Sequence, residues 1–265
     1  MQQAAARTGV PLERLVAAAR PTLLFVVAYA LNTTPHEAVH AFTAYLLGFN
    51  STIFQMWVNP DQTTATAGQL AEIAVTGPIF SLTAGVLCLL FYASRFRNRP
   101  AGLILLMLAL VGIDCFLGPL AAAALGGDIH TALVFLGTPA WVCDALSGAG
   151  LLMLSVFMFR IGRELARWAP AEFGRAATVL SATVAPAVIG TLLILPLYWP
   201  LPQMLVGSTI SGSVLWIPAI IGAALAFKSR EPQCAQLGFT KADAWVAVAA
   251  IAMVRIFATG IRLAH

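Results

Sequence analysis

The sequence predicts an all-α polytopic membrane protein of about six to seven transmembrane helices, with a short surface β-hairpin after the first span. Three observations carry that prediction. Of 265 residues, 60% are hydrophobic and only 10% charged, against about 25% charged in an ordinary soluble protein. The apolar runs are continuous over roughly 20 residues, the length a helix needs to cross ~30 Å of hydrocarbon, and do not alternate as barrel strands do. The cations gather between the runs. This composition excludes a soluble enzyme, a disordered tail and a coiled coil. It also excludes a nucleic-acid-binding domain, because the net charge of +4 includes only two Lys and no dense basic block.

In chain order, residues 1–19 form a cytoplasmic N-terminal segment in which Pro11 to Ala19 reads as an amphipathic helix on the membrane surface. No secretory signal pattern is read there. Candidate spans follow at 21–48, 69–93, 101–124, 130–159, 178–198, 205–227 and 242–263, the later ones interrupted by Pro196, Pro200, Pro202 and Pro218. Between the first two, Ser51 to Val58 reads as a strand, Asn59-Pro60-Asp61-Gln62 as a turn and Thr63 to Ala67 as a returning strand. Arg7, Arg14 and Arg20 precede the first span. Arg95, Arg97 and Arg99 follow the second, Arg160, Arg163, Arg167 and Arg175 the fourth, and Lys228, Arg230 and Lys241 the sixth. The connections 49–68, 125–129 and 199–204 hold no Lys or Arg. The positive-inside rule then places the N-terminus in the cytoplasm and the cation-free loops outside. The small-residue pairs Gly118/Ala122 and Gly207/Ser211 read as helix packing, and Cys88, Cys115, Cys143 and Cys234 as buried small hydrophobes.

The chemistry sits in the first span, at His36-Glu37-Ala38-Val39-His40. On a helix, positions i and i+4 share a face, so both imidazoles can ligate one metal ion while the Glu beside them serves as general base for hydrolysis. At this composition roughly 0.001 chance matches to H-E-x-x-H are expected. A pair of packed His with Glu37 in an ion pair is the alternative, but ionisable groups are costly in a membrane helix and mark function there. Pro35 removes an amide donor and biases Thr34 away from helix, so the first span is expected to break, with the ligand pair in the first turn of its second half. Two His leave zinc short of a third protein ligand. Asp114, Asp128, His130 and Asp144 are candidates, with Glu72 a distant fifth, and depth in the membrane leaves both Asp114 and Asp128 open.

His36 to Phe49, HEAVHAFTAYLLGF, resembles the active-site helix of the site-2 protease family of intramembrane metalloproteases. Thr76-Gly77-Pro78-Ile79-Phe80-Ser81 resembles the Gly-Pro-containing helix that packs beside it. Gly127-Asp128-Ile129-His130-Thr131-Ala132-Leu133, running on to Leu136-Gly137-Thr138-Pro139-Ala140-Trp141, resembles the third-ligand element of that family's bacterial branch. The resemblance covers residues 20–160, a metalloprotease-like membrane core, and leaves 161–265 as additional helices of unknown role. It implies Zn2+ held by His36, His40 and Asp128, with Glu37 as the catalytic base. Four features depart from the family: Ser81 stands where many members carry Asn, leaving Asn32 as a candidate supplier of that amide; the common Asn-Pro-Asp-Gly form of the third-ligand motif is absent; Thr138-Pro139 departs in order from Thr-Gly-x-Pro; and the Arg count puts the zinc nearer the outside than in well-known members. The residues themselves also favour Asp128 over Asp114. It follows two Gly and opens a helix whose N-terminal dipole stabilises an anion, whereas Asp114 lies within a continuous apolar helix.

The expected function is an intramembrane zinc peptidase of a bacterial inner (cytoplasmic) membrane. Its partners would be the lipid bilayer and a single-span protein substrate that adds as a strand to the 51–67 hairpin before cleavage. The alternatives are a catalytically silent subunit of a membrane complex and a zinc hydrolase of lipid-like substrates.

Overall fold

A computed structural model describes residues 10–55, 57–60, 64–170, 173–199, 216–227 and 240–264. The chain is mostly helical: α1 (Val10–Leu46), α2 (Ala67–Phe91, continued by a π-helical turn, Tyr92–Phe96), α3 (Gly102–Ala121), α4 (Asp128–Phe135), α5 (Ala140–Ala166), α6 (Arg175–Leu197), α7 (Ile217–Ala226) and α8 (Lys241–Phe257). Three short strands, β1 (Ser51–Ile53), β2 (Val58–Pro60) and β3 (Ile261–Leu263), form one sheet in the order β2-β1-β3. Among the described residues four helices are long and apolar enough to cross a membrane: α2 with its π-turn, α3, α5 and α6. The protein is thus consistent with an integral membrane protein.

The candidate spans divide differently from the sequence expectation. The run 130–159 is two helices, because Gly137 (φ +66°) and Pro139 end α4 and set the start of α5. The run 242–263 ends at Phe257, and Gly260 (φ +78°) turns the chain into β3. Residues 205–215 of the sixth candidate lie outside the described residues, as do Arg7, Pro200, Pro202, Lys228, Arg230, Cys234 and the Gly207/Ser211 pair. The hairpin turn, between Ile53 and Val58, comes five residues earlier than its sequence signal. Phe54 N–H donates to Trp57 C=O (2.8 Å) and the two rings stack at 4.5 Å, so Val58 to Pro60 form the returning strand. Pro60 is tolerated because β2 is an edge. One face of the hairpin packs on the bundle, where Ser51, Ile53 and Gln55 are buried, while Asn59 is exposed. Ser51 Oγ donates to Ala41 C=O (3.3 Å) and Thr34 Oγ1 to Gln55 C=O (3.2 Å), so β1 runs back alongside the second half of α1.

α1 is continuous through both Pro21 and Pro35, and no break separates residue 19 from residue 20. The expected interruption at Pro35 does not occur because tertiary bonds hold the flanking turn. Asn32 Nδ2 donates to Ser81 Oγ on α2 (3.1 Å) and Thr34 is tied to Gln55. The preference of a residue preceding proline is a bias that such contacts override. Around α1 the core is built on Leu24, Leu106, Met107, Leu110, Leu154 and Met158. Lipid tails are as apolar as these side chains, so close backbone approach matters more than burial between membrane helices. A Cβ added at Gly112 of α3 would meet Ser81 C=O of α2 at 2.7 Å, and one at Gly162 of α5 would overlap the backbone of Ala219 on α7. Gly118, by contrast, faces only the Asp114 carboxylate at 3.7 Å and mediates no such approach.

One end of the bundle is joined by charge. Arg97 pairs with Glu164 at 2.6 Å, linking the α2–α3 connection to the end of α5. Arg20 Nε, buried, donates to buried Asp243 Oδ2 at 3.0 Å, and Arg20 also reaches Pro100 C=O at 3.2 Å. Asp243 completes the capping box of α8 with Thr240. Breaking a buried pair from one side leaves an uncompensated charge, so Asp243→Asn is expected to destabilise the protein by about 3–5 kcal/mol. Replacement of both partners, Arg20→Leu with Asp243→Leu, is expected to recover most of that loss in detergent unfolding measurements.

Candidate metal centre

The site is assembled from α1, α2 and α4. His36 and His40 are one turn apart on α1 and face a stripe of α2 formed by Ile73, Gly77 and Ser81, again four residues apart. His40 Nδ1–H donates to Ile73 C=O at 2.6 Å. His36 Nδ1 lies 2.9 Å from Ser81 Oγ, which also accepts from Asn32 Nδ2. Donation from His40 Nδ1–H leaves the Nε2 lone pair of His40 for a ligand, and donation from His36 Nδ1–H to Ser81 Oγ would do the same for His36, the usual arrangement of metal-bound histidine. Gly77 makes the approach sterically feasible: a Cβ there would overlap His40 Nε2 and come within 2.7 Å of His36 Nε2.

Asp128 arrives from the other side, on the first residue of α4. Gly127, at φ +89°, adopts a backbone that a side-chain-bearing residue rarely takes, and it turns the chain after α3 so that α4 packs on α2. The carboxylate is therefore delivered not by one long span over 130–159 but by a separate eight-residue helix. The three candidate ligand atoms form a nearly regular triangle. His36 Nε2 to His40 Nε2 is 3.1 Å, His36 Nε2 to Asp128 Oδ2 is 3.2 Å and His40 Nε2 to Asp128 Oδ2 is 3.6 Å. A tetrahedral ion with bonds of about 2.0–2.1 Å separates its ligands by about 3.3–3.4 Å. His36, His40 and Asp128 could thus hold one metal ion without rearrangement. The imidazoles are buried, while the Asp128 side chain is 40% exposed. Closed four-ligand sites are structural; three protein ligands with an open position are the pattern of catalytic ones.

Glu37 is half-buried beside the triangle. Among the described residues its carboxylate accepts no hydrogen bond and forms no ion pair of the kind the structural alternative calls for.

The other sequence candidates lie elsewhere. Asp114 is within α3, and its buried Oδ1 has no hydrogen-bond partner. Asp144 is exposed on α5 and Glu72 exposed on α2. His130 neither orients Asp128 nor points to open water through Nδ1; it donates to Ala123 C=O at 2.7 Å and pins α4 to the turn before it. The sequence reading missed Gly77 and the Asn32–Ser81 bond as parts of the centre. The Gly-Pro of α2 was the available signal, but the identity of the atom that needs the missing Cβ emerges only once α1 and α2 are in register. Among protein-family models, curated proteins and solved structures, none matches this chain.

Proposed function

We propose that the protein is a zinc-dependent intramembrane peptidase of the site-2 protease type. The observation that carries this reading is the convergence of His36 Nε2, His40 Nε2 and Asp128 Oδ2, from two distant segments, on a tetrahedral-sized triangle beside the Glu37 carboxylate. When bound, zinc supplies Lewis-acid stabilisation of the charge that develops in peptide hydrolysis. The chain's own residues do the rest. Ser81 and the Ile73 carbonyl hold the two imidazoles in the tautomer that presents Nε2. Glu37 takes the proton of the attacking water and returns it to the leaving amine. The partly exposed side at Asp128 admits substrate and water. Non-helical backbone beside the site, from Ser51 to Gln55, is sheltered against α1, as irregular segments at membrane depth must be.

In this reading the basic end, with Arg20, Arg97 and Arg163, faces the cytoplasm of a bacterial inner membrane, and the sheet and metal centre lie toward the outer side. The substrate is a single-span membrane protein. The test is Glu37→Gln in the purified protein. The variant is expected to retain about one zinc per chain and to lose hydrolysis of a reconstituted single-span substrate by a factor of about 10²–10⁴, the usual contribution of a general base. Zinc-loaded Glu37→Gln that cleaves at the wild-type rate would refute the assignment.

A further inference from the structure

β1 is the central strand of the sheet, so a peptide adding to it needs one of its edges. Both edges are filled, and from opposite ends of the chain's order. β2 follows directly through the hairpin, pairing Thr52 with Asn59. β3 comes from the C-terminal segment, pairing Ser51 with Leu263, Thr52 with Arg262 and Ile53 with Ile261. These two partners are held differently. β2 is joined by a four-residue turn and the Phe54–Trp57 stack. β3 is three residues long, follows Gly260 in a positive-φ turn, and leaves Arg262 exposed with Ile261 and Leu263 only half-buried. Its attachment is main-chain pairing with little side-chain packing. Main-chain pairing of that kind is the least sequence-dependent way to bind an extended peptide, and any strand of similar pattern can compete for it.

The position of that edge matters. β1 runs beside the part of α1 that carries the metal ligands, with Ser51 bonded to Ala41 and Gln55 to Thr34 on either side of His36 and His40. We propose that the C-terminal strand Ile261–Leu263 is a displaceable self-ligand, occupying the edge of β1 where an extended peptide segment of a substrate docks next to the metal centre. α8 keeps the strand close even when it is released, because the Arg20–Asp243 pair anchors the far end of that helix. A tethered competitor of this kind raises the threshold for a peptide in trans without abolishing docking. The link from docking to cleavage rests on the peptidase reading; docking itself does not.

The probe is a fluorescent peptide with the sequence of residues 258–265, and the readout is its binding to the detergent-solubilised full chain, which needs no hydrolysis. A variant ending at Gly260 lacks β3 altogether and is expected to bind the peptide roughly 10-fold more tightly than wild type, since the tethered competitor is lost. Thr52→Cys with Arg262→Cys, oxidised to a disulfide across the paired positions, is expected to bind none, and reduction is expected to restore binding. Zinc content measured on each variant reports that the bundle is folded. Equal binding by wild type, the variant ending at Gly260 and the oxidised double variant would overturn the proposal, as would absence of binding to the zinc-loaded variant ending at Gly260. Peptide binding without any cleavage of a membrane substrate would leave the self-ligand in place and remove the peptidase reading instead.

Discussion

Asp128→Ala is expected to lose the metal, and Asp114→Ala to keep it. Both carboxylates are aspartates of apolar segments, Asp114 inside α3 and Asp128 at the start of α4, yet only Asp128 presents an oxygen 3.2 Å from one imidazole nitrogen and 3.6 Å from the other. Removal of a ligand should exceed the roughly 10–100-fold loss of affinity that removal of an outer hydrogen-bond partner causes, because one of three protein bonds to the ion disappears. Asp114 is not a member of the convergent group, so its variant should hold metal as wild type does. It should also be at least as stable, since a buried carboxylate oxygen without a partner is eliminated. Zinc analysis of both purified variants reads the comparison directly. Metal loss in Asp114→Ala with retention in Asp128→Ala would reverse the ligand assignment.

Gly77→Ala is expected to be nearly as damaging as loss of a ligand, although Gly77 offers no metal-binding atom. Its added methyl group would occupy the space of His40 Nε2 and crowd His36 Nε2 at 2.7 Å. The imidazoles cannot retreat freely, because Ile73 C=O and Ser81 Oγ hold their other nitrogens. Either the rings rotate and lose those bonds, or α2 moves away from α1. Overpacking of this kind costs about 1–3 kcal/mol in a well-packed interior, and here the strain falls on the metal geometry. Zinc titration should therefore show a loss of affinity of about 10-fold or more, at 1.4 kcal/mol per factor of ten. By contrast, Gly68→Ala on the same helix, where an added Cβ meets no atom within 4 Å, should bind zinc normally. Normal zinc binding by Gly77→Ala would show that the α1–α2 approach is looser than the structure has it.

The sequence by itself determined the helical class and the pairing of His36 with His40 on one helix face beside Glu37. Apolar run length is a property of consecutive residues, and H-E-x-x-H places its own side chains through the helical period. It also selected Asp128 correctly as the third member of the cluster, because the two glycines before it and the helix start after it are local features. Tertiary structure decided the rest. Pro35 predicts a helix break from local preference, but bonds from Asn32 to Ser81 and from Thr34 to Gln55 hold α1 straight through it. Gly137 and Pro139 split one apolar run into α4 and α5, a division that hydropathy alone does not register because both halves are apolar. The strand at Ile261–Leu263 could not be read at all: its three residues are as suited to a helix end, and only β1, more than 200 residues earlier in the chain, supplies the backbone groups that make it a strand. Residues that act through their own spacing were legible; residues whose role depends on which distant backbone lies opposite them, Gly77 and β3 above all, were not.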